Sequence, residues 1–106
     1  MAIEHAQHGQ VLNLNTFHAA DSAALVKTGE FEIIRVLVEA GQSLPPHKVD
    51  GPITVQCLSG QCTFFVDEEP RKLSSGDWLY LNGGTTHAVE ATESTALLVT
   101  ILFGNG

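Results

Sequence analysis

The feature that most limits what this chain can become is its rhythm. Short apolar runs, several with period-2 alternation, are separated by turn residues at intervals of about ten residues. The runs predict strands over Val11–Leu14, Ala24–Lys27, Phe31–Glu39, Ile53–Leu58, Cys62–Val66, Arg71–Leu73, Trp78–Leu81, His87–Ala91 and Ala96–Phe103. The breaks fall at Thr28-Gly-Glu30, Ala40-Gly-Gln42, Pro45-Pro46, Asp50-Gly-Pro52, Ser59-Gly60, Asp67-Glu-Glu-Pro70, Ser74-Ser-Gly76 and Asn82-Gly-Gly84. Glycine, proline and short polar side chains favour chain reversal at such places. Many short strands with regular turns point to an all-β sandwich or barrel. Only His18–Leu25 predicts a helical turn, with Asp21 or Ser22 as its cap.

A chain of 106 residues supports one core, so residues 1–106 are read as a single domain. With 43% apolar and 16% charged residues, that core needs no disulfide staples. Five basic against twelve acidic residues leave a net charge of −7, which argues against nucleic acid and anionic membranes as partners. No apolar run approaches the roughly 18 residues of a transmembrane helix. The N-terminal Met1–His8 has neither the basic nor the apolar region of a signal peptide, so a cytoplasmic protein is expected. Cys57 and Cys62 flank Leu58–Gln61, and a hairpin at Gly60 would place them on neighbouring strands. A disulfide is geometrically conceivable there, but in a reducing compartment the pair reads as two buried thiols.

Alternation along extended backbone assigns faces. His47 and Val49 share one face. Ile53, Val55 and Cys57 share another, opposite Thr54, Gln56 and Leu58. Leu79 and Leu81 oppose Trp78 and Tyr80, and His87, Val89 and Ala91 lie together. A barrel with His47, Val49, Ile53, Val55, Leu79, Leu81, His87 and Val89 turned inward has a mostly aliphatic pocket holding two imidazoles. The face bearing Trp78 and Tyr80 is too apolar for a fully solvated sheet, and a second subunit or the N-terminal strands are the two expected covers. His5 and His8 read as solvated side chains.

The two inward histidines stand in glycine frameworks. Gly41 is followed after five residues by His47, then one residue to Val49, three to Ile53 and six to Gly60. Gly76, Asn82, Gly84, His87 and Ala91 form a second set. These spacings, at residues 41–60 and 76–91, resemble the two motifs of the cupin family, G-x5-H-x-H-x3,4-E-x6-G and G-x5-P-x-G-x2-H-x3-N. The resemblance spans about half the chain and implies a small single-domain, RmlC-like cupin: a jelly roll of two antiparallel sheets, commonly a homodimer. Metal-binding cupins use both histidines and the glutamate of the first motif plus the histidine of the second. Here His47 and His87 remain, while Val49 and Ile53 occupy the other two places and have no lone pair to offer. Two imidazoles leave half of a tetrahedral shell to water, so at most a weakly bound divalent transition metal (zinc, nickel, iron or manganese) is expected.

Three functions compete at this stage. A small-molecule binding or sensing module follows from an apolar barrel with few convergent polar groups. The resemblance also implies a metal-dependent enzyme of the dioxygenase, isomerase or decarboxylase kind, with His47 and His87 as ligands. A metal-free enzyme would use a histidine as general base, held by a carboxylate in the pocket.

Overall fold

The computed structural model describes residues 5–14 and 22–103. Among these residues nine strands form in the order β1 (Ala23–Lys27), β2 (Phe31–Val38), β3 (Ser43–His47), β4 (Ile53–Ser59), β5 (Gln61–Val66), β6 (Glu69–Ser74), β7 (Trp78–Leu81), β8 (His87–Ala91) and β9 (Thr95–Leu102). They assemble into a five-stranded sheet, β1-β2-β9-β4-β7, and a four-stranded sheet, β3-β8-β5-β6. Every pairing is antiparallel. No helix among the described residues is long and apolar enough to cross a membrane.

Alternation puts the core between the sheets. Val38, Ile53, Val55, Cys57, Leu81 and Leu97 point inward from the larger sheet, and Cys62, Phe64, Leu73, Val89 and Ala91 from the smaller. Val55 is fully buried and Phe64 is 2% exposed. Burying a side chain of this size is worth about 1.5–3 kcal/mol, so these two sheets hold each other without covalent help. Trp78 and Tyr80 face the other way and are 60% and 52% exposed.

Two turns explain how the chain changes direction. At the β5–β6 hairpin Asp67 and Glu68 have φ of 48° and 71°, the two successive positive angles that a two-residue hairpin turn requires. At Gly60, φ is 84°, and a Cβ there would lie 2.8 Å from Thr95 Cα. That glycine lets the chain pass from β4 in the larger sheet to β5 in the smaller. Cys57 and Cys62 are therefore not ladder partners, as a simple hairpin would make them. They are separate buried thiols on facing sheets.

Three sequence expectations need correction. Val11–Leu14 is not a strand; Val11 is 91% exposed. The helical turn over His18–Leu25 falls partly outside the described residues, and Ala23–Leu25 within it are extended in β1. The third concerns β3, which the sequence reading treated as a break. Its prolines sit on an edge strand, where a missing N–H costs no ladder bond.

Candidate functional site

Edge strand β3 carries His47 through an irregularity. Ser43 pairs with Glu90 and Leu44 with Val89, but the next pair is His47 with His87. Three residues on β3 advance against two on β8, so Pro45-Pro46 forms a bulge. Regular alternation from the inward Leu44 would turn His47 outward. The bulge reverses that parity and brings His47 beside the inward His87.

The second histidine is fixed by the turn before β8. Gly84 N–H donates to the Val49 carbonyl at 2.7 Å, tying the turn at residues 82–84 to the loop that follows His47. Gly83 packs so closely that a Cβ would overlap the Asp50 carbonyl oxygen and lie 3.1 Å from the Gly51 carbonyl carbon. The two segments that hold the histidines are thus locked against each other through backbone.

The rings meet edge to face, with centroids 4.2 Å apart and planes at 64°. Phe64 stacks on His87 at 5.7 Å and 9°. His47 Nδ1 lies 3.2 Å from the Pro45 carbonyl oxygen and His87 Nδ1 3.0 Å from that of Thr85. A carbonyl oxygen only accepts, so both Nδ1 atoms carry hydrogen. In the neutral rings both Nε2 atoms are then acceptors. They face each other at 3.1 Å. Burial pushes the His87 pKa down; the bond to the Thr85 carbonyl opposes this in part, and the neighbouring His47 adds to it. Backbone carbonyls, not carboxylates, orient both rings.

Behind the pair lies a cavity of about 130 Å³. Its wall includes His47, Val49, Ile53, Val55, His87 and Val89. Leu79 and Leu81, expected there from alternation, are absent from the wall. They pack into the barrel side nearer β6, because β7 is the edge of its sheet. The remaining wall is Ile34, Val36, Leu44, Phe64, Leu97, Val99 and Ile101. Sequence reasoning left these out, although the alternation of Ile34-Val36-Val38 and Leu97-Val99-Ile101 marks an inward face of β2 and β9. A groove of about 360 Å³ on the outer wall shares Leu44, His87 and Val89 with the cavity. The break in the β3–β8 ladder lies between them.

The donor set tests the metal expectation. Two nitrogens 3.1 Å apart subtend about 98° at a metal bound at about 2.05 Å, an acceptable angle for adjacent ligands. Val49 and Ile53 add none, and no group of three His, Cys, Asp or Glu converges among the described residues. The residues present fit two ligands of a shell and do not make a complete metal centre.

A family model described as the cupin domain matches residues 34–103. Solved structures agree over nearly the whole chain. A conserved protein of unknown function from Streptococcus pyogenes superposes with a TM-score of 0.82 at 24% identity, covering 100% of this chain and 97% of that one. A cupin superfamily protein from Desulfitobacterium hafniense gives 0.81 at 19% identity over 98% and 99%. An RmlC-like cupin from Desulfovibrio desulfuricans gives 0.81 at 26% over 90% and 97%. The sequence matches no curated protein. Fold, topology and family match agree: the chain is a small single-domain member of the cupin family.

Proposed function

We propose that this protein is a small-molecule binding module whose barrel takes one apolar ring or short aliphatic body, with a hydrogen-bond donor placed at His47 and His87. One observation carries the reading: two Nε2 atoms, each ring held by a carbonyl at its Nδ1, lie 3.1 Å apart at the wall of an aliphatic cavity. A cavity of about 150 Å³ with such a lining holds benzene in another protein, so about 130 Å³ suits a ligand of comparable or slightly smaller size. A ligand hydroxyl supplies the hydrogen that two facing acceptors lack.

Phenol and benzene are the first probes, followed by NMR at pH 7.5. Phenol is expected to bind saturably and move the His87 ring signals, with benzene at least tenfold weaker. In His87→Phe that preference disappears. If neither compound moves a cavity signal, the binding reading is wrong.

The Nε2 separation also favours a second reading, weak capture of a divalent transition ion by the same pair. Elemental analysis of tag-free protein, purified without chelator or added metal, tests it beside His87→Ala. Near-stoichiometric metal lost in the variant would support a metal-dependent cupin whose further ligands lie elsewhere. Substoichiometric metal that ignores the substitution would dispose of that reading.

A further inference from the structure

The barrel is open along one side. Strands β6 and β7 are the adjacent edges of the two sheets, each paired on one flank alone, with β5 and β4 respectively. The turn between them is pinned to β4, where Cys57 N–H donates to the Asp77 carbonyl and Gly76 N–H to that of Cys57. From this corner the edges part around a cleft of about 450 Å³.

Its chemistry differs from that of the rest of the molecule. Val66, Leu73, Leu79 and Leu81 give it an apolar floor, and Trp78 and Tyr80 stand at its rim. Arg71 pairs with Phe64, a buried inward residue, so Arg71 also occupies an inward position. Because β6 is the last strand of its sheet, no described strand covers it, and its side chain remains 53% exposed at the cleft. Lys72, next along β6, borders the same cleft but alternates to the opposite face of the strand. Two of the chain's five basic residues thus adjoin here, in a protein of net charge −7. Among the described residues Arg71 is held by its neighbour's carbonyl, Pro70, at 3.3 Å and by an exposed Glu69 carboxylate at 3.9 Å. Such contacts are weak and easily exchanged. The nearby Asp77 carboxylate is engaged by the Ser74 N–H at 2.8 Å.

We propose that this cleft binds a small organic carboxylate with an apolar or aromatic body, its charge held by Arg71 and its body resting on the floor between the sheets. A guanidinium takes a carboxylate in a planar, two-bond fashion that a neutral isostere does not reproduce. The site is separate from the barrel cavity and does not depend on how that cavity is used.

Trp78 is the single tryptophan, so its fluorescence reads the cleft directly. Phenylacetate is titrated against wild type, with phenylacetamide as the uncharged isostere. The expected result is a saturable change with phenylacetate, and binding at least tenfold weaker for the amide. Arg71→Gln weakens phenylacetate at least tenfold, and so does Arg71→Gln combined with Lys72→Gln. Lys27→Gln, on the far edge strand β1, removes the same charge and leaves binding unchanged. Equal binding of acid and amide would overturn the proposal. So would unaltered binding in Arg71→Gln, an equal loss in Lys27→Gln, or no saturable change in wild type.

Discussion

Gly83→Ala offers the sharpest test of how the two histidines are held. The added Cβ overlaps the Asp50 carbonyl oxygen and crowds the Gly51 carbonyl carbon at 3.1 Å. Both obstacles are backbone, so no side-chain rotation relieves them. Either the loop after His47 or the turn before His87 must move by about 1 Å, a shift that close-packed interiors resist. Overpacking of this kind costs about 1–3 kcal/mol. The displacement also strains the Gly84-to-Val49 hydrogen bond, worth about 0.5–1.5 kcal/mol. The sum is about 2–4 kcal/mol, or a melting temperature lower by roughly 10–25 °C for a domain of this size. Gly84→Ala is the control. Its φ of +79° disfavours alanine, but nothing lies within 4 Å of the new Cβ. That change costs about 1–2 kcal/mol through backbone strain alone. Thermal melts rank the two variants, and histidine ring NMR reports the pair. The reasoning fails if Gly83→Ala is no less stable than Gly84→Ala, or if its His47 and His87 ring signals stay in place.

Three further outcomes are expected. The His87 pKa is depressed chiefly by burial, so the unfolded chain binds a proton below about pH 6.5 that the native state takes up less readily. Stability therefore falls as pH drops through that range, and His87→Phe should show a flatter melting profile between pH 7 and pH 5. Burial pushes the Cys62 thiol up to about 11, and Cys57 is raised as well, so neither forms a reactive thiolate near neutrality. Iodoacetamide at pH 8 should leave both unmodified in native protein and label both after denaturation, and native stability should decline as pH rises from about 9 towards 11. Finally, Val49→His with Ile53→Glu supplies two donors beside the existing pair. Zinc affinity should rise at least about 100-fold, some 2.7 kcal/mol, in a calorimetric titration; an unchanged affinity would mean that positions 49 and 53 do not converge with the histidines.

Much of the architecture was legible because alternation and turn chemistry are local. The spans of β7 and β8 follow from the sequence alone, and those of β2, β4, β5 and β9 to within a residue or so. Strand β3 was hidden because two prolines normally mark a break, and only its place at a sheet edge makes them tolerable. The inward direction of His87 was also legible in alternation, that of His47 only through the motif it resembles, and the wall contributed by β2 and β9 was not, since it depends on which strands face each other. Leu79 and Leu81 show the same limit. Their inward parity is written in the sequence, whereas their distance from the histidines depends on β7 being an edge. The carbonyl bonds that fix both imidazoles leave no sequence signature at all.

The Pro45-Pro46 bulge gives the place of His47 an arithmetic character. Its direction is decided by its register against β8, not by what it attracts or repels. Deleting one of the two prolines would leave two residues of advance on β3 against two on β8, so plain alternation would keep the imidazole turned inward and the bulge would vanish. In a homologous chain shorter by one residue at this point, a histidine two residues after the leucine would face the barrel with the ladder unbroken. What separates two such chains is whether the wall beside the histidine is interrupted, not which way its ring points.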